Sequence, residues 1–219
     1  MLEKVLLFAG TFDPITAAHI LMLRQCIETE FFSHVWMLPS GRRTDKEFKA
    51  SDEARLEQCR IVARDFAALN IHVEVCDYEI KLGHSIDSYF TMRYYQTAYP
   101  NYDFYFFIGS DLLPQVPRWP YGEELIEITN FVIADREGYP IAQADLDRLK
   151  HYELLSELLQ RKSRTMKTSN MSSTLVRAQL AEHIACDDAG TLHPKIMQYI
   201  RENMLYRQDR ALRNAKKCK

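Results

Sequence analysis

The chain of 219 residues has no long hydrophobic run, no C-x-x-C pair and no marked excess of charge. Each absence excludes something. Without an apolar stretch of about 20 residues there is no membrane-spanning helix to propose. The N-terminal Met1-Leu2-Glu3-Lys4 runs into a short apolar segment without a small-residue cleavage pattern, so it reads as a first strand and not a signal peptide. The five cysteines, Cys26, Cys59, Cys76, Cys186 and Cys218, are odd in number and widely spaced, which argues against a disulfide framework or a zinc site. They fit reduced, structural cysteines of a cytoplasmic protein. A net charge of −2 is not tuned to a polyanion, so no nucleic-acid or membrane partner is expected. Neither G-x-G-x-x-G nor G-x-x-x-x-G-K-[ST] occurs, which removes the usual dinucleotide and P-loop readings.

What is present is a series of short apolar runs rich in β-branched and aromatic residues: 5–9, 35–38, 71–76, 104–108 and 131–134. Runs apolar at consecutive positions suit strands covered on both faces, as in a parallel sheet. Between them lie helical patterns. Leu56, Cys59, Val62, Phe66 and Leu69 mark one helix face, with Ser51, Asp52 and Glu53 as its capped, acidic start. Residues 85–98 and 146–159 also read as helices, and 172–183 and 194–204 as two closing helices, Pro194 at a first helical position. The expectation is an α/β fold: a Rossmann-like, doubly wound parallel sheet of about five to six strands with C-terminal helices. Residues 1–206 form one domain in this reading, and 207–219 a basic C-terminal tail.

One segment asks for more than folding. Gly10-Thr-Phe-Asp-Pro-Ile-Thr-Ala-Ala-His19 follows the first apolar run, at a strand end where parallel sheets bind ligands. Gly10 allows close backbone approach, Pro14 stops the strand, and a helix starting near residue 17 offers free N–H groups to a phosphate. His19 falls in its first turn. Two further segments carry similar chemistry. Ser172-Ser173-Thr174-Leu175-Val176-Arg177 places capping hydroxyls at a helix start, with an arginine one turn on. Gly109-Ser-Asp111-Leu-Leu, followed by Trp119, ends the run 104–108 with an acceptor and a large aromatic face.

These segments resemble three motifs of the nucleotidyltransferase superfamily in their usual order. The first resembles T/H-x-x-H, with Thr16 where many bacterial relatives carry His and Ala18 where many carry Gly. The second resembles ISSTxIR. The third resembles the GxDxL…W segment of nicotinate/nicotinamide mononucleotide adenylyltransferases. The resemblance spans residues 5 to about 204. It implies transfer of the adenylyl group of ATP to a pyridine mononucleotide, with Mg²⁺ accompanying ATP and no metal ligand from the protein. It implies catalytic roles for His19, Thr16, Arg177 and Lys46. It implies ATP binding by Gly10, Thr11, Phe12, Gly109, Arg136, Ser172, Ser173 and Thr174, and mononucleotide binding by Ser85, Asp111 and Trp119. Lys46 stands in a loop, 39–46, that departs from the family's Pro-Pro-His-Lys, so Arg42 or Arg43 is an alternative there. In the segment 134–139, Glu137 replaces the Pro of the family's Arg-Pro-Gly. His84-Ser85 replaces a Tyr-Thr pair near the pyridine substituent, which together with the threonine form of the first motif points to use of both mononucleotides. The alternatives are a phosphopantetheine adenylyltransferase, a non-catalytic nucleotide sensor, and, for assembly, a possible homo-oligomer.

Overall fold

The computed structural model describes residues 2–42, 47–84, 86–169, 171–181 and 190–206. Strand β1 (Glu3–Gly10) leads into helix α1 (Ala17–Glu28) and β2 (His34–Pro39). Helix α2 (Asp52–Ala67), β3 (Val73–Val75), the short α3 (Tyr78–Leu82) and α4 (Ser88–Ala98) follow. Then come β4 (Tyr102–Gly109), a 3₁₀ turn (Leu113–Arg118), α5 (Gly122–Ile128) and β5 (Asn130–Ala134). The chain continues through α6 (Gln143–Leu146), β6 (His151–Leu154), α7 (Leu155–Gln160), α8 (Ser173–Ala181) and α9 (Pro194–Glu202).

Among the described residues the six strands form one sheet in the order β3-β2-β1-β4-β5-β6, parallel at every pairing. The apolar runs are continuous because both faces are covered. In β1, Leu6 and Phe8 join the cluster that α1, α2, α7 and α9 pack, while Val5 and Leu7 join the cluster that α4 and α5 pack. The same alternation divides Val132 and Ala134 of β5 from Phe131 and Ile133. Helices on both faces and a reversal of strand order beside β1 make the doubly wound architecture. That reversal leaves a crevice beyond the carboxyl ends of β1 and β4, where Gly10 and Gly109 sit.

One expected element is different. Residues 146–159 are not one helix: α6 ends at Leu146, β6 pairs with β5, and α7 begins at Leu155. The segment His151-Tyr-Glu-Leu154 is an edge strand with its first two residues exposed, so it carries no two-faced apolar run to announce it. Strand β3 is shorter than the run 71–76. Helix α4 starts at Ser88 behind Asp87, and α8 and α9 match the expected closing helices over Ser173–Ala181 and Pro194–Glu202. Cys26 and Cys59 are buried free thiols, Cys76 is a half-buried one, and burial raises the pKa of each. No helix among the described residues is long and apolar enough to cross a membrane.

Candidate active site at the switch point

The turn after β1 is built from its own short motif. Phe12 adopts a left-handed backbone and turns its ring back over Gly10. A Cβ on Gly10 would lie 2.7 Å from that ring, so Phe12 packing requires the glycine. Phe12 is itself 1% exposed and part of the core. Its side chain offers no surface to a ligand, whereas Thr11 beside it is half-buried. The Thr11 carbonyl accepts from Arg55 Nη1 at 2.8 Å. Arg55 is fully buried, with its guanidinium paired to Asp52 and lying over the Phe48 ring. The Asp13 carboxylate accepts from the amides of Lys49 and Ala50 at 2.8 and 3.0 Å, fastening the segment after the basic loop.

Thr16 is the N-cap of α1, and His19 is the third helical residue. Their contact is a capping box in which a histidine stands where Glu or Gln is usual. The Thr16 hydroxyl accepts from the His19 amide, and the Thr16 amide donates to His19 Nδ1 at 3.0 Å. The hydroxyl lies 2.8 Å from the same nitrogen. An amide can only donate, so Nδ1 carries a lone pair and the neutral ring holds its proton on Nε2. Burial first, and the positive Arg136 second, push the His19 pKa down to about 4. The result is a neutral N–H donor at a helix N-terminus. Thr16 has no exposed surface, and both its amide and its hydroxyl are engaged with His19.

Across the crevice, Gly109 ends β4 and makes room for Asp111: a Cβ there would lie 2.5 Å from Asp111 Oδ1. Asp111 Oδ2 pairs with Arg136 Nη1 at 2.7 Å. Ser110, buried, donates to the Tyr139 carbonyl and accepts from the Arg136 amide, which fixes the hairpin carrying that arginine. The residue expected on the mononucleotide and the one expected on ATP thus meet, close enough to His19 for Arg136 to affect its titration.

The third motif docks on the first. Ser172 accepts from the Leu175 amide and caps α8, as expected. The Ser173 hydroxyl donates to the Pro14 carbonyl at 2.8 Å. Arg177 Nη1 donates to the Asp13 carbonyl at 2.6 Å, and Nη2 to the exposed Thr174 hydroxyl. Trp119 is half-buried at the end of the 3₁₀ turn, against the α4–α5 cluster. Lys46, Arg43 and Ser85 lie outside the described residues, as does the basic tail. Arg42 is described, and its Nε donates to Asp52 at the start of α2.

Sequence reasoning passed over Asp13, Arg55 and Gln58. Gln58 accepts from the Ile15 amide at 3.2 Å. It also passed over Glu79, whose carboxylate accepts from the Gly41 amide and the Thr91 hydroxyl. Only Asp13 had a visible signal, its place inside the motif. The others sit in helices and touch the site from far along the chain.

Cations, helix amides and a neutral imidazole gathered at one sheet edge have the chemistry to hold and neutralise a polyphosphate; the class that fold and chemistry define is the nucleotidyltransferase. The chain belongs to the cytidylyltransferase-like family, whose model matches residues 7–179. It is similar to the probable nicotinate-nucleotide adenylyltransferase of Shewanella pealeana, 28% identical over 219 aligned residues that cover 94% of this chain and 97% of that one. The probable nicotinate-nucleotide adenylyltransferase of Nitratiruptor sp. is 31% identical over 139 residues, covering 63% of this chain and 76% of that one. In fold it is similar to the Plasmodium falciparum nicotinic acid mononucleotide adenylyltransferase complexed with NaAD. The TM-score is 0.76 at 23% identity, over 93% of this chain and 97% of that one.

Proposed function

We propose that the chain transfers the adenylyl group of ATP to a pyridine mononucleotide, forming the dinucleotide and pyrophosphate. The observation that carries this is the His19 ring, held neutral with Nε2–H as its donor at the N-terminus of α1 beside Arg136. The relatives and the structural neighbour are named for the nicotinate form, which supports a pyridine acceptor over phosphopantetheine. A monoester phosphate is largely dianionic at neutral pH, its second pKa being ~6. It needs no general base. Its oxygen attacks the α-phosphorus, the bond to the bridging oxygen breaks, and pyrophosphate leaves with that electron pair.

The protein then supplies alignment and charge stabilisation, the two contributions that dominate phosphoryl transfer. In this reading His19 donates to the α- or β-phosphate, and Arg136 and Arg177 turn from protein acceptors to phosphate oxygens. Lys46 or its loop neighbours hold the distal phosphates, Asp111 takes the ribose diol, and Trp119 stacks on the pyridine. Backbone groups of Gly10, Thr11 and Gly109 approach the nucleotide. Ser85 faces the pyridine substituent.

No three His, Cys, Asp or Glu side chains converge among the described residues. In this reading Mg²⁺ would come with the triphosphate and its own waters, where the ion would shield phosphate charge. We assign residues 1–206 to one catalytic domain and 207–219 to a basic tail, in a cytoplasmic enzyme without nucleic-acid or membrane partners. Pyrophosphate release from Mg·ATP and nicotinate mononucleotide tests the reading. Release with phosphopantetheine alone, or with neither acceptor, overturns it.

A further inference from the structure

The turn Asp13-Pro14-Ile15 sets the entry angle of α1, and hence the position of His19. A side-chain network under the turn holds it from a distance. Gln58, fully buried in α2, accepts from the Ile15 amide through Oε1. Its Nε2 donates at 3.2 Å both to the Ala54 carbonyl and to the Tyr206 hydroxyl, 148 residues further along the chain. Tyr206 lies just past α9 and is 9% exposed. Burial, then the neighbouring Asp13 carboxylate, pushes its hydroxyl pKa well above the ordinary range. The hydroxyl accepts from Gln58 and keeps its own proton to donate. Arg177 is also near enough to act on this hydroxyl. Tyr206 therefore sits where the first and third motifs join.

Its backbone supports a dedicated role. Tyr206 has φ 61° and Met204 φ 53°. Bulky residues seldom occupy the left-handed region, and do so where the surroundings over-determine them. Core packing alone would be met by Phe, which has no need of a polar partner inside the cluster.

We infer that Tyr206 is a positioning residue of the active site: through Gln58 its hydroxyl fixes the turn that places His19. The inference rests on the adenylyl-transfer reading. In Tyr206→Phe the ring packing is kept and the network loses its central group. Small displacements of a catalytic group are costly, so kcat per folded molecule is expected to fall about tenfold. KM for ATP and for the mononucleotide should hold within about twofold, since the loss is felt mainly in the transition state. Amide exchange at Ile15 should quicken. Gln58→Leu should behave alike. An unchanged kcat per folded molecule, or unchanged exchange at Ile15, overturns the inference. So does failure of both variants to fold, which would assign the pair to stability. If the wild-type protein releases no pyrophosphate, the adenylyl-transfer reading has failed instead, and exchange at Ile15 decides whether the hydroxyl fixes the turn.

Discussion

In the proposed adenylyl transfer, replacing His19 by Ala removes one N–H donor aimed at developing charge and leaves the other groups assigned to the phosphates in place. The ring contributes through Nε2 alone, because Nδ1 is taken by the Thr16 amide. Loss of one preorganised donor of this kind costs about 2.7–4 kcal/mol in the transition state, so kcat should fall roughly 10²–10³-fold. ATP binding should weaken far less, since helix amides and arginines share the ground-state charge. The pH profile separates a neutral donor from an imidazolium. In the free enzyme His19 titrates at about 4. Above about pH 5 it is neutral, and kcat/KM reports the free enzyme. The mononucleotide phosphate loses its second proton near ~6, so kcat/KM should rise through that pH and then stay level to pH 8. A required imidazolium with the ordinary pKa of 6.5 would give a bell instead. Steady-state rates from pH 5 to 8 for both proteins decide it. A falling limb that disappears in the variant, or an unchanged kcat, refutes the reasoning. The same shift has a stability signature. The folded pKa lies below the unfolded one, so between about 4 and 6.5 the unfolded chain binds more protons. Stability therefore declines as pH falls through that window, and less so in His19→Ala.

Three other outcomes are expected. Gly109→Ala puts a Cβ 2.5 Å from Asp111 Oδ1 and must displace that carboxylate from Arg136. The mononucleotide KM should rise about tenfold, or about 1.4 kcal/mol, while the ATP KM holds; the reverse pattern would remove Asp111 from the mononucleotide. Trp119→Ala should cost about 1–3 kcal/mol of mononucleotide binding if the ring stacks on the pyridine. A fall in Tm with normal kinetics would make Trp119 a core residue. Nicotinate and nicotinamide mononucleotides should be used with kcat/KM values within about tenfold, a gap of about 1.4 kcal/mol, measured at saturating Mg·ATP. A preference beyond about a hundredfold would require a dedicated acid- or amide-reading group.

The parts of the fold that could be read from the sequence are those whose packing is two-sided. Strands β1, β2 and β5 bury consecutive residues, and β4 sets half-buried Tyr105 and Phe107 between buried Phe104, Phe106 and Ile108, so the chain shows all four as unbroken apolar runs. Strand β6 is held by one neighbour and exposes His151 and Tyr152, so its four residues look like any surface segment. The same contrast runs through the site. Motifs that approach the crevice within a few residues of a strand end were visible: Gly10–His19, Gly109–Asp111, Ser172–Arg177. Gln58, Arg55 and Tyr206 were not, because what defines them is a partner far along the chain. Nor were the internal uses of motif residues. Gly10 serves Phe12, Ser173 serves Pro14, and neither destination is implied by spacing.

Thr16 and His19 show what the missing step is. Their spacing is read as two groups reaching for phosphate, yet T-x-x-H is also the spacing of a capping box. Both readings use the same atoms, and the cap cannot be formed without spending Nδ1 and the threonine hydroxyl. With Glu at the third helical position, the cap would consume the carboxylate and leave the turn no N–H donor, and with Gln the remaining amide N–H groups would sit on the same carbon as the oxygen already spent. Histidine differs because it has a second nitrogen on the far side of the ring. Closing the helix start on Nδ1 forces the proton to Nε2, and burial keeps the ring from taking another. The fold thus selects the tautomer by satisfying its own backbone. In the proposed adenylyl transfer, a threonine with no exposed surface would serve the chemistry by deciding which end of its neighbour's ring can donate.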